Sequence, residues 1–137
     1  MRTTTLAILI GALALGGCLN KADSAKMDAA SARVLSLMTA KQYDVMYDEG
    51  SPDLKASLPK QGFVGFMQGI DAAYGACQPP AKAMSINVKS ENGSYFATQG
   101  YTRQCEKGQA QLQVTMVMRG GVAQLAGIQT GSPSSSN

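Results

Sequence analysis

The chain contains no histidine and no tryptophan among its 137 residues. Without histidine, neither a Ser-His-Asp nor a Cys-His arrangement can activate a nucleophile, and most zinc sites lose their usual nitrogen ligand. Charge is also scarce: 15% of residues are charged, the formal net charge is +3, and the basic residues do not cluster. The electrostatic footprint of a nucleic-acid binder is therefore missing. Walker-type phosphate loops and dinucleotide fingerprints are absent too. Carboxylates and tyrosines remain as chemical groups, but no spacing marks an acid–base pair, so the sequence points away from an enzyme and calls for no cofactor and no metal. Long apolar runs are lacking as well. The stretch from Leu6 to Leu15 is well short of the roughly 20 residues needed to cross a bilayer, and no later stretch is long enough.

That short apolar run has a definite context. Arg2 precedes it and Gly16-Gly17 close it, which is the layout of a cleaved export signal. Leu15-Gly16-Gly17-Cys18 resembles the bacterial lipobox, in which an aliphatic residue and two small residues lead into a cysteine that is acylated and becomes the new N-terminus. The chemistry suits the residue types: small side chains admit a peptidase, and a thiol forms a stable thioether. The resemblance implies removal of residues 1–17, lipidation at Cys18 and permanent anchoring by its acyl chains. Leu19 stands where some lipoproteins carry an inner-membrane aspartate, which implies the periplasmic leaflet of the outer membrane. Residues 18–23 then read as lipidated cysteine and tether. The five residues from Leu19 to Asp23 reach at most about 17 Å, so the domain is expected to stay near the headgroups.

With Cys18 assigned to lipid, Cys77 and Cys105 remain as an even pair in an oxidising compartment. A disulfide between them closes a loop of about 29 residues, worth roughly 3 kcal/mol by chain entropy. Metal or redox use is the competing reading, and it finds neither a CxxC spacing nor a histidine.

The remaining chain, 24–130, reads as one domain, followed by a serine-rich tail, 131–137, expected to be disordered. Met27, Ala30, Val34, Leu37 and Met38 follow helical spacing, with Asp23 or Ser24 as cap. Tyr43, Met46 and Tyr47 suggest a short second helix, stopped by Gly50-Ser51-Pro52. A third starts at Pro59, presents Phe63, Phe66, Met67, Ile70 and Tyr74 as a stripe, and stops at Gly75. Gly62, Gly65 and Gly69 on a neighbouring face each cost nearly 1 kcal/mol against alanine, which predicts another backbone packed closely there. After Pro79-Pro80 the period becomes alternating. Met84, Ile86 and Val88 mark one strand face and Asn92-Gly93 a two-residue hairpin turn. Strands follow from Ser94 to Cys105, from Ala110 to Met118 and, past Gly120-Gly121, from Val122 to Thr130.

Helices followed by a four-strand meander predict an α+β fold, with N-terminal helices on one face of a four-stranded antiparallel sheet. Residues 41–75, KQYDVMYDEGSPDLKASLPKQGFVGFMQGIDAAYG, resemble the tyrosine-rich short helix, polar link and phenylalanine-led helix of NTF2-like or cystatin-like domains in small bacterial lipoproteins. The resemblance implies a cone between helices and sheet, which some relatives use as a site. Fold likeness of this kind gives no activity.

Strand parity selects the candidate residues. Counting back from Asn92-Gly93 sets Val88 opposite Ala97, Ile86 opposite Gln99 and Met84 opposite Tyr101. Gln99 and Arg103 then share the apolar face that the third helix should cover, and with Tyr74 and Tyr101 they define a candidate ligand pocket. Met116 and Met118, with Met84, could offer thioethers to copper(I), but they continue the inward stripe of Leu112 and Val114 and read as core filler. Counting through Gly120-Gly121 places Thr115 opposite Ala126 and Gln113 opposite Ile128. On that count Val117, Val122 and Ile128 share the outer sheet face with Gln113 and Gln124, a weakly charged surface suited to a protein partner or a second copy. The expected function is a non-enzymatic, membrane-tethered module contacting protein or envelope components; the alternative is a small-ligand carrier using the cone.

Overall fold

Polar residues just before the first apolar stripe start the first helix earlier than Asp23. The structure is a computed structural model and describes residues 20–79 and 85–131, with backbone only at 85 and 86. The expected signal segment, Cys18, Met84 and the expected tail past Gly131 lie outside the described residues. Asn20 caps α1 (Lys21–Thr39) by accepting from the Asp23 amide at 2.8 Å, so the helix consumes most of the expected tether. Met27, Val34, Leu37 and Met38 turn inward. The helix ends with Lys41 at a φ of 56°. The Gln42 amide bonds to the Leu37 carbonyl and the Lys41 amide to the Met38 carbonyl, a Schellman closure with lysine in glycine's usual place.

The second helix, α2 (Tyr43–Asp48), is as expected. Gly50-Ser51-Pro52 does more than stop it. Ser51 caps a further helix, α3 (Pro52–Ser57), accepting from the Leu54 amide at 3.2 Å, with proline in the first turn. Serine at the cap and proline at the first helical position are start signals as much as stops. The next helix, α4 (Lys60–Tyr74), buries Phe63 and Met67. It leaves Phe66 39% exposed, so the expected stripe is narrower than drawn. Among the described residues no backbone packs on its glycines either: a Cβ at Gly65 or Gly69 would meet nothing within 4 Å, and one at Gly62 would meet the Leu58 side chain.

The strands are β1 (Ser85–Glu91), β2 (Ser94–Cys105), β3 (Gly108–Arg119) and β4 (Val122–Thr130), all antiparallel in sequential order. Asn92 and Gly93, and likewise Gly120 and Gly121, have positive φ at both positions, as type I′ hairpin turns require. The β1–β2 register pairs Ile86 with Gln99 and Val88 with Ala97, as parity predicts.

The second hairpin departs from its expected register. Met116 pairs with Leu125, but Thr115 pairs with Gly127, so Ala126 is an extra residue in β4. Such a bulge reverses side-chain parity beyond it. Gln113 therefore faces Gln129, and Ile128 faces Val114 on the inner face, where it packs against the core. The placement of Ile128 on the outer face is thereby corrected.

The interior is filled with Phe63, Met46, Met67, Met116 and Val114, each less than 2% exposed. The helices rest chiefly on β3 and β4, and the helix layer leaves Val88, on the inner face of β1, 52% exposed.

Candidate functional site

Inner-face parity along β2 and the C-terminal end of α4 position the candidate pocket residues by different routes. Gln99 and Arg103 alternate with outward residues along β2, and each is 7% exposed. Tyr101 lies between them on the same face and donates its hydroxyl to Gln99 Oε1 at 2.7 Å. Burial and the nearby Asp28 charge push the Tyr101 phenol above its ordinary range. The Tyr101 hydroxyl is thereby satisfied. Tyr74, at the end of α4, is half-buried and makes no hydrogen bond with the other three among the described residues; its carbonyl accepts from the Lys107 amide.

Arg103 is differently placed. Its Nη1 lies 3.3 Å from the Met38 thioether and its Nε 3.5 Å from the Gln78 carbonyl. No carboxylate forms an ion pair with it among the described residues. A buried guanidinium carries five donors and a charge that cannot be shed. A thioether and a long carbonyl contact are weak partners for it.

A neighbouring pair was not singled out by the sequence. Tyr43, brought in by α2, donates its hydroxyl to Asp71 Oδ2 of α4 at 2.5 Å, and Lys41 Nζ is 3.8 Å from the same oxygen. The Tyr43 phenol is pushed far upward, first by burial, then by the hydrogen bond and charge of Asp71, with Arg103 opposing. Both tyrosines thus hold their protons at neutral pH and serve as hydrogen-bond donors, not as bases. The sequence indicated only that Tyr43 begins a short helical pattern and that Asp71 lies on the helix expected to cover the apolar sheet face.

The corner is clamped covalently. Cys77 and Cys105 form a disulfide with Cα atoms 3.9 Å apart and also an antiparallel bridge. The Gln78 amide bonds to the Gln104 carbonyl and the Glu106 amide to the Ala76 carbonyl. The exit of α4 is thereby laid along the part of β2 that β1 does not reach, which holds Gln78 against Arg103. Gly75 makes that exit feasible: at a φ of 74°, a Cβ there would meet the Glu106 carboxylate at 2.7 Å.

Two hollows border α1. A recess of about 60 Å³ lies among Val34, Leu37, Met46, Met116 and Leu125, room for water-sized occupants. A larger hollow of about 460 Å³, bordered by Leu35, Ser36, Thr39, Ala40 and Pro79, is open to solvent. It flanks in sequence the two residues that touch Arg103.

The expected partner face has lost most of its apolar surface. Ile128 points inward. Val117 is on the outer face but only 2% exposed, between Phe96 and Gln124 in the register. Beside it on that face, Gln124 Nε2 donates to the Glu49 carbonyl at 3.4 Å, and Arg119 bonds Asp53 at 2.9 Å and Ser94 at 2.8 Å. The α2–α3 segment thus closes over this corner. Val122 alone of the three is exposed, at 54%.

No family model matches the chain, and no curated protein matches it. Among solved structures, it is similar to Rd1NTF2_05, an NTF2-like designed protein carrying five substitutions, with a TM-score of 0.44 and 14% identity. The match covers 76% of this chain and 99% of that one. The α+β architecture, helices on a four-stranded antiparallel sheet, stands on its own register and packing.

Proposed function

We propose that this chain is a lipoprotein of the bacterial envelope, anchored through Cys18 on the periplasmic side, that acts by contact and not by catalysis. The observation that carries the anchor is Leu15-Gly16-Gly17-Cys18 ending two residues before α1 begins its cap at Asn20. An interior occupied by apolar side chains supports contact through the outside of the domain. The Cys77–Cys105 disulfide is in keeping with an oxidising compartment. The test is metabolic labelling with a fatty acid in cells making the native chain or Cys18→Ala. The native chain should take up label and partition into detergent, and Cys18→Ala should do neither. Labelling of the alanine variant would reject the anchor.

Arg103 favours one second reading, a carrier of a small anion entering beside Leu35 and Pro79. Its guanidinium lacks a carboxylate partner among the described residues, and a bound anion would supply the missing charge. Titrating the purified domain with small mono- and dicarboxylates, against Arg103→Gln, tests it. Equal melting responses in the two proteins would remove this reading.

A further inference from the structure

Which end of the domain faces the bilayer follows from where α1 starts. Lys26 Nζ donates to the Gly121 carbonyl at 3.2 Å, so the N-terminal part of α1 lies on the β3–β4 turn. Met38, near the other end of α1, touches Arg103 near the far end of β2. The helix therefore runs along the sheet, with its start at the Gly120-Gly121 turn. The Asn92-Gly93 turn is at this same end, because Arg119 Nε donates to Ser94 Oγ at 2.8 Å. From Lys26 back to Asn20 is about 9 Å of helical rise, and the two residues from there to Cys18 add at most about 7 Å. The opposite end, with the Cys77–Cys105 disulfide and the turn at Glu106, lies about 40 Å away along the 12 residues of β3.

The near end has the character of an interfacial surface. Val122 is the most exposed large hydrophobic side chain described, it follows two glycines that carry no side chains, Lys26 is exposed and reaches the Gly121 carbonyl beside it, and Lys21 is exposed at the start of α1. Asp23, the one acid in this first turn, accepts from the Asn20 side-chain amide at 3.0 Å, and with Lys21 and Lys26 it leaves one net positive charge here. Arg119 is neutralised by Asp53. An exposed apolar side chain with the Lys26 amine beside it, and Lys21 at the start of the same helix, matches phosphates above acyl chains.

We infer that the domain rests on the phospholipid surface through the start of α1 and the Gly120–Val122 turn, and points the Arg103 corner away from the membrane. This orientation rests on the Cys18 anchor proposed above. The chain has no tryptophan, so Val122→Trp and Gln109→Trp each carry a single reporter, at the near and far ends. Each full-length lipidated variant is reconstituted in phosphatidylethanolamine–phosphatidylglycerol vesicles with and without brominated acyl chains. Bromine should quench Val122→Trp about twofold or more and leave Gln109→Trp within about a tenth of its intensity. Equal quenching at the two positions, or stronger quenching at Gln109→Trp, in protein that floats with the vesicles overturns the orientation alone. Protein that does not float overturns the anchor and the orientation together.

Discussion

The two outer hairpins of the sheet are built on the same kind of turn yet keep their registers differently. From Asn92-Gly93 the β1–β2 pairing runs without interruption to Ser85 opposite Gly100. From Gly120-Gly121 the β3–β4 pairing slips once, at Ala126, and Ile128 changes sides. A two-residue turn therefore sets register only as far as the first bulge. The strands are also secured by different means. The open end of β2 is fastened to Cys77 covalently. At the bulge, β4 is held by the Ser51 amide bonding to the Leu125 carbonyl at 2.9 Å.

The sharpest way to break this comparison is deletion. Removing Thr98 from the uninterrupted β2 sends either Ala97 or the Gln99–Arg103 set to the wrong face, and the domain should fail to fold by circular dichroism. Removing Ala126 takes out the residue that has no partner and keeps every pairing on both sides, so that variant should fold with a loss of about 1–2 kcal/mol. Next in size is the covalent clamp: Cys77→Ser with Cys105→Ser should lower stability by about 2–4 kcal/mol in urea titrations. Inner-face Ile128→Lys should cost about 2 kcal/mol, whereas exposed Gln129→Lys should stay within about 0.5 kcal/mol. Equal effects at 128 and 129 would remove the bulge. The cap at the bulge is smaller, and Ser51→Ala should cost about 1 kcal/mol. Smallest is Val122→Lys at the turn, within about 0.5 kcal/mol by thermal melting.

Much of the fold was legible because the local chemistry of its turns is unambiguous. Asn92-Gly93 and Gly120-Gly121 announce their turns, and the alternation from Ala110 to Met118 leaves no doubt about which residues of β3 face the helices. What escaped depends on tertiary contacts or on residues with two meanings. Ser51-Pro52 can end one helix or begin another, and here it does both. Nothing in Ala126 marks a bulge, although Gly127 beside it is a weak hint. Val117 is buried beside Gln124 and Arg119, whose partners, Glu49 and Asp53, lie more than sixty residues away in sequence. The inward position of Arg103 followed from parity alone; its pairing with a thioether, and the Tyr43–Asp71 contact beside it, required the packing of α1, α2 and α4.

The contact between Ser51 and β4 also bears on how copies of the chain can add to one another. A sheet grows into a filament only when both of its lateral strands accept a newcomer. At β4, the Ser51 amide already occupies the Leu125 carbonyl and the bulge at Ala126 bends the strand away from flatness. At β1, the stretch from Asn87 to Glu91 is exposed. Strand addition there joins one β1 to another and presents a blocked β4 at each end of the product. Edge-to-edge growth therefore stops at two copies, which keeps the protein from polymerising through its sheet.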